Sequence, residues 1–343
     1  MTTALTLVVD RRDARVSIEG RALRIERDGE ALRRVPLGLL DLFVVHGSPW
    51  VRADVWRALA ERGIPAVVQS ARGSATAWVG AAIGHSVVQR TIQHRAADDE
   101  GRRTDIARWL VDGKLASLGD LSLDGTRLAP DFVRQLETAR ASLTQAGDTN
   151  TLMGIEGAAA ARWWAYLADR LPPEWKFSGR NRRPPRDPLN SLLSLGYTLL
   201  GAEMLAAVQR RGLDPALGFL HGVVPGRDSL VLDLIEPLRP GVDAFALGLL
   251  EGKLQPADFS TSTSEGCRLR KQMRGVFYAA WADARAHWTW PPRLAGVAGD
   301  STEDHSLPAW CNRVVAALVA RLGQLESGRD DVPRPIPGAP DGG

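Results

Sequence analysis

The chain has 343 residues, of which 44% are apolar and 24% charged, with 34 glycines and 21 prolines. That composition is globular, excludes a fibrous or wholly disordered chain, and at this length suits two domains. The formal net charge is only +3, so no overall basic field marks the chain as a nucleic-acid binder and local clusters must carry any such argument.

Short apolar runs at residues 6–9, 15–18 and 22–25 are parted by turn chemistry at 10–13, at Glu19-Gly20 and at Asp28-Gly29, and read as strands. Further strands are predicted at 43–45, ending at Gly47-Ser48, and at 64–68. Between them Val51, Val55, Leu59 and Ala60 share one face of a helix over 51–62. The N-terminal unit is therefore mostly β with one helix, the size of a small sandwich.

From residue 84 the pattern turns helical, with helices predicted over 87–92, 105–118 and 132–143. Asp148, Thr149 and Asn150 offer N-caps to a helix over 151–171, which Pro172-Pro173 stops. A basic stretch follows, Arg180-Asn181-Arg182-Arg183-Pro184-Pro185-Arg186, and then a long helix over 188–211 ended by Gly212. Further helices fit 229–238, 242–251, 269–287 and 312–327, and the Pro/Gly-rich residues from 332 onward read as a disordered tail. No internal repeat is present.

No apolar run approaches the ~20 residues of a membrane-spanning helix. The longest, near 37–45, is broken by Gly38 and Asp41. The N-terminus has neither the basic start nor the apolar stretch of a secretory signal. Cys267 and Cys311 can form neither a disulfide framework nor a four-cysteine zinc site. The expectation is a cytoplasmic protein of bacterial type. Only four basic residues are lysine, Lys114, Lys176, Lys253 and Lys271, and the other 39 are arginine, which grips phosphate with a planar fork. A GC-rich coding bias accounts for most of that excess.

Two stretches hold chemistry. Glu156 lies within Leu152-Met153-Gly154-Ile155-Glu156-Gly157-Ala158-Ala159-Ala160-Ala161, small and apolar around one carboxylate. Small neighbours allow close helix packing, and burying a lone carboxylate is costly unless it is paired or bound to metal. On spacing alone, a solvent-facing or arginine-paired Glu156 stands level with a functional one. The second stretch runs from Gly218-Phe219-Leu220-His221-Gly222 to Glu236-Pro237. Asp233 and Glu236 are three residues apart and share a helix face. Pro237 disfavours helical geometry at Glu236, so an interruption is predicted there. His46, His85, His94, His287 and His305 have no comparable carboxylate context and read as structural or exposed. If Glu156, His221 and Glu236 converge, two carboxylates and an imidazole form an incomplete cage for a hard divalent ion, Mg²⁺ or Mn²⁺. Such a cage leaves positions for water and a phosphate oxygen and suits phosphodiester chemistry. Spacing alone does not establish that residues so far apart meet.

Three consecutive blocks, NTLMGIEGAAAARWW, then F-S-GRNRRPPRDPLNSLLSLGYTLL, then GFLHG with VVPGRDSLVLDLIEPLRP, resemble in order and spacing the core of the CRISPR-associated integrase family. The likeness is strong over about 150–240. It is weaker through Gly266-Cys267-Arg268-Leu269 and Arg274-Gly275-Val276-Phe277-Tyr278, and back into the β unit, and the tail lies outside it. The resemblance implies an α+β fold of two domains: an N-terminal β-sandwich-like dimerisation domain (1–83) followed by an all-α catalytic domain (84–330), with 331–343 a disordered tail. It implies a metal-dependent DNA endonuclease that inserts new spacers into a CRISPR array. The family's ligands for Mg²⁺ or Mn²⁺ fall on Glu156, His221 and Glu236, which would also be the catalytic residues. Asp233 is a supporting or alternative ligand.

The resemblance further implies a homodimer through the β domains and no membrane. Two dimers are bridged by a small ferredoxin-like second adaptation protein into a heterohexamer. Its substrates are duplex DNA with 3′ overhangs and the CRISPR repeat. Arg180, Arg182, Arg183 and Arg186 are expected to contact DNA phosphates. The paired Trp163-Trp164 and the hydroxyl-rich run from Ser260 to Ser264 depart from the family pattern without touching the ligand set. Two other readings stay open: a non-catalytic DNA-binding scaffold whose acidic residues only pack or pair, and a general repair nuclease acting on branched DNA.

Overall fold

A computed structural model describes residues 5–70, 76–79, 87–123, 125–181, 184–297 and 304–327. The N-terminal unit contains β1 (Leu5–Val9), β2 (Arg15–Glu19), β3 (Ala22–Glu26), β4 (Arg33–Pro36), β5 (Leu40–His46) and β6 (Trp50–Val51). Helix α1 (Ala53–Glu61), β7 (Ala66–Gln69) and β8 (Thr76–Val79) complete it. Two four-stranded sheets form, one in the order β4-β3-β2-β6 and one in the order β1-β5-β7-β8. The second is not the plain antiparallel layer of a sandwich. β1 and β7 both run parallel to β5, and β8 closes the edge antiparallel.

That inner sheet is covered on both faces. Leu7, Val9, Phe43, Val45 and Ala66 point into a core shared with the outer sheet and α1. Leu42, Val44 and Val67 point into a second core built mostly by helices. Burial on both sides is why β5 reads as an almost unbroken apolar run rather than an alternating one.

The helical region contains α2 (Val87–Asp98), α3 (Glu100–Gly119), α4 (Pro130–Ser142), α5 (Thr149–Ala168), α6 (Pro188–Arg210), α7 (Ser229–Ile235), α8 (Arg239–Gly252), α9 (Arg274–Ala286) and α10 (Leu307–Ser327). It is not purely α. A short hairpin, β9 (Ser122–Leu123) with β10 (Thr126–Arg127), follows α3, and a longer one, β11 (Phe259–Ser262) with β12 (Gly266–Leu269), precedes α9. The hydroxyl-rich run lies in that second hairpin, and the helix expected from 269 begins only at Arg274 because Leu269 still pairs with Phe259. The tail from 331 lies outside the described residues.

Local chemistry sets the helix ends. Asp148 caps α5, its Oδ1 accepting from Thr151 N at 2.9 Å, and Asp187 caps α6, its Oδ1 accepting from Asn190 N at 2.8 Å. Before Pro237, α7 stops at Ile235 and a 3₁₀ turn over Glu236–Leu238 links it to α8. Contrary to the expectation from the apolar runs, α6 is long and apolar enough to cross a membrane. Its most apolar window, however, is 72% buried inside the fold, where it serves as the central core helix.

The two regions are joined by packing and by buried polar contacts. At Gly201 of α6 a Cβ would sit 2.5 Å from the Trp78 ring on β8, so the missing side chain lets the helix lie close to the sheet. Arg285 of α9 donates from Nε to Glu203 of α6 at 2.6 Å and from NH2 to the Asp41 carbonyl at 3.2 Å. The Tyr278 hydroxyl meets His46 Nε2. Burial, with Arg274 and Arg268 nearby, drives the His46 pKa down to about 3, so its ring accepts as a neutral imidazole.

Candidate metal centre

Helix α3 packs against both α5 and the 236–238 turn. That packing brings together Lys114 from α3, Glu156 from the middle of α5, and Glu236 at the Pro237 interruption. The Lys114 ammonium pairs with Glu156 Oε1 and lies 2.6 Å from Glu236 Oε2. On its other side Glu236 Oε1 meets Arg239 Nε at 3.1 Å. The Glu236 side chain is only 4% exposed, against 22% for Glu156. Burial alone would raise the Glu236 carboxyl, but Arg239, Lys114 and His221 overcome it and hold the pKa down at about 2. Burial would likewise lower the Lys114 ammonium, and Glu236 and Glu156 more than offset it, so its pKa lies above the ordinary value.

His221 follows from a different device. Asp233 of α7 is fully buried, and its carboxylate gathers the preceding loop. Oδ2 accepts from Phe219 N at 2.6 Å and Leu220 N at 2.9 Å, and Oδ1 accepts from His221 N at 3.0 Å. His221 Nδ1 lies 2.6 Å from the same Oδ1. A carboxylate only accepts, so Nδ1 carries the hydrogen, and Nε2 is the ring nitrogen left to a ligand whenever the ring is uncharged. Gly218 is required here, since a Cβ would lie 2.7 Å from Asp233 Oδ2. Both Asp233 oxygens are taken by this loop, an arrangement that positions His221.

Among the described residues no three His, Cys, Asp or Glu side chains stand close enough to hold one ion together. Glu156 and Glu236 are joined by the Lys114 ammonium, and His221 lies near enough to Glu236 to favour its ionised form. The donor set nevertheless fits a hard divalent cation. Two carboxylates already flank one cation. Glu236 Oε2 is buried, and the Lys114 ammonium 2.6 Å away is the charge set against it. The imidazole is fixed through its far nitrogen, as metal-binding histidines are.

The arginine segment is partly inside the molecule. The Arg180 guanidinium donates to Asn190 Oδ1 at 2.7 Å and lies over the Tyr197 ring at 5.6 Å, turned inward rather than toward solvent. Arg186 is exposed. Arg182 and Arg183 lie outside the described residues. The β12 hairpin strand clamps the prolines: Cys267 N donates to the Pro185 carbonyl at 2.7 Å, and Gly266 adopts φ +72°, where a Cβ would sit 2.3 Å from that carbonyl.

Of the small residues of α5, Ala159 is buried in the helical core, but most of its neighbours are not. Gly154, Gly157, Ala158 and Ala161 form an exposed stripe, with nothing within 4 Å of a Cβ placed at either glycine. Sequence reasoning missed Lys114, Arg239 and Asp243. Asp243 is buried and accepts from Trp163 Nε1 at 2.9 Å and from the Tyr197 hydroxyl. Burial outweighs those donors and raises its pKa to about 6. For Asp243 the signal was present, a charged residue inside an apolar helical run.

The family model described as CRISPR associated protein Cas1 matches residues 7–283. A relative from Rhodospirillum rubrum, named CRISPR-associated endonuclease Cas1 2, is 34% identical over 285 residues, covering 78% of this chain and 82% of the relative. A casposase bound to its integration product shares the fold with a TM-score of 0.76 at 20% identity, covering 93% of this chain and 91% of that one. A chain of the Cas6-RT-Cas1–Cas2 complex shares it with a TM-score of 0.77 at 21% identity, covering 96% of this chain and 36% of that one.

Proposed function

This chain belongs to the CRISPR-associated Cas1 family, and from that premise we propose that it is a divalent-metal-dependent DNA endonuclease and integrase that inserts new spacers into a CRISPR array. The observation that carries the reading is the opposition of Glu156 and Glu236 across a single cation, beside a histidine whose Nδ1 is tied to a buried aspartate. Glu156, His221 and Glu236 would hold Mg²⁺ or Mn²⁺, which supplies Lewis acidity at a phosphodiester. Asp233 keeps the His221 lone pair on Nε2, and Arg239 keeps Glu236 ionised. Beside Glu156, Gly154, Gly157, Ala158 and Ala161 leave α5 bare and exposed.

The DNA and protein partners follow the same line. The casposase of this fold holds an integration product, and a related chain occurs in a complex with Cas2. We take the substrates to be prespacer duplex and CRISPR repeat, and the partner to be a Cas2-type dimer joining two homodimers of this chain. Support for a dimer through the β unit comes from Trp50 on the edge strand β6, which is 56% exposed, and from Leu32 and Leu39, which flank β4 at the opposite edge and are also exposed. Sedimentation at micromolar concentration should give a dimer, and a monomer would reject this arrangement.

The test of function is strand transfer of a duplex with 3′ overhangs into a repeat-bearing plasmid, with the Cas2-type partner present. Joined product should require Mg²⁺ or Mn²⁺ and vanish with EDTA. Glu156→Ala should abolish it while retaining DNA binding. Joining without metal, or full activity in Glu156→Ala, would reject the reading.

A further inference from the structure

We propose that Lys114 is a resident counter-ion of this centre, one that must leave Glu156 and Glu236 before those carboxylates can hold a divalent cation. The proposal rests on the reading of this cluster as a metal site.

Geometry excludes simultaneous occupancy. The ammonium touches Glu156 and lies 2.6 Å from Glu236 Oε2, so it fills the place between the two carboxylates that an ion bonded to both at about 2.0–2.1 Å would need. Charge argues the same way. The carboxylates of Glu156 and Glu236 face the cations Lys114 and Arg239, with Asp243 and Arg180 a further opposed pair beside them. Adding two charges without releasing one would leave a buried excess of two, which low-dielectric surroundings penalise heavily.

Of the two cations, Lys114 is the one built to move. Arg239 is pinned by its pair with Glu236 and lies over the Tyr197 ring at 4.9 Å. Lys114 is a point charge on a flexible four-carbon stem. Its side chain retains 14% exposure, and of its two partners Glu156 is the more open, at 22% against 4%. Ejected there, the ammonium enters the space beside the bare stripe of α5, where a DNA phosphate would receive it.

The chain makes the test simple, because Lys176, Lys253 and Lys271 are all exposed and Lys114 is the only other lysine. The unmodified full-length protein is pulsed with an amine-acetylating reagent, with and without Mg²⁺ or Mn²⁺, and each lysine is quantified by mass spectrometry. Without metal, Lys114 should react about tenfold or more slowly than the others, because its ammonium is paired with two carboxylates and its side chain is only 14% exposed. Metal should raise its rate severalfold and leave the other three unchanged.

In parallel, Mn²⁺ affinity is read by electron paramagnetic resonance on wild type, Lys114→Met and Glu156→Gln. Glu156→Gln should lose the site. Lys114→Met should bind Mn²⁺ about tenfold more tightly, the equivalent of ~1.4 kcal/mol. If Glu156→Gln loses Mn²⁺ but Lys114 labelling does not respond to metal, the counter-ion proposal is overturned and the metal centre stands. If Mn²⁺ binding ignores Glu156→Gln, both fall. Should Lys114→Met fail to fold, the labelling of the unmodified protein decides alone.

Discussion

Replacing Arg285 tests how firmly the two regions are joined. Arg285 is 3% exposed and Glu203 2%, and the guanidinium makes two bonds to that carboxylate, at 2.6 and 3.3 Å. Arg285→Met removes both and leaves Glu203 charged and unpaired inside the protein. Breaking a buried pair from one side costs about 3–5 kcal/mol. The lost donor to the Asp41 carbonyl adds about 1 kcal/mol. Arg285→Met with Glu203→Leu removes the stranded charge and retains only the Asp41 loss, so the double variant should lie within about 1–2 kcal/mol of wild type. The double variant should therefore recover about 2–5 kcal/mol relative to Arg285→Met, obtained from urea unfolding of wild type and both variants at pH 7 followed by circular dichroism and tryptophan fluorescence. If the double variant is as unstable as Arg285→Met, the penalty does not come from an unpaired Glu203 and the reasoning fails.

Gly266→Ala should push the Pro184-Pro185 segment off its hairpin and cost roughly 2–4 kcal/mol from the positive φ and the clash with the Pro185 carbonyl, which thermal denaturation measures. A cost below about 0.5 kcal/mol would show that the segment yields freely. Asp233→Asn should free His221 and weaken Mn²⁺ binding about 10–100-fold, with far-UV circular dichroism near wild type. His46 titrates near 6.5 when unfolded and about 3 when folded, so the unfolded state binds the extra proton between those values. Stability should thus fall as pH drops from 6.5 toward 3, and His46→Gln should flatten that limb in pH-dependent urea unfolding.

Much of the frame was legible in the residues. Asp148 begins a helix, Pro237 breaks one, and the turn pairs Glu19-Gly20 and Asp28-Gly29 separate strands that do pair. What escaped was set by tertiary pairing. Arg33–Pro36 is a strand only because β3 lies beside it, and Gly266–Leu269 is one only because Phe259–Ser262 folds back on it. In the cluster, Glu156 and Glu236 stood out as carboxylates in apolar company. Lys114 did not, because a single lysine on a helix usually reaches solvent, and only the crossing of α3 with α5 and the 236–238 turn closes around it. Charge density in sequence likewise does not show that the Arg180 guanidinium is engaged by Asn190.

The sheet covered on both faces bears on how this molecule can be recombined. Along β5, Phe43 and Val45 serve the outer layer, while Leu42 and Val44 serve the helices. A graft made at residue 83 would replace four neighbouring positions together, although two of them must match side chains on the far side of the junction. Chimaeras cut there should express poorly unless Leu42, Val44 and Val67 are carried over with the helical donor. A block exchange drawn along this alternation, rather than along the chain, would leave both cores filled.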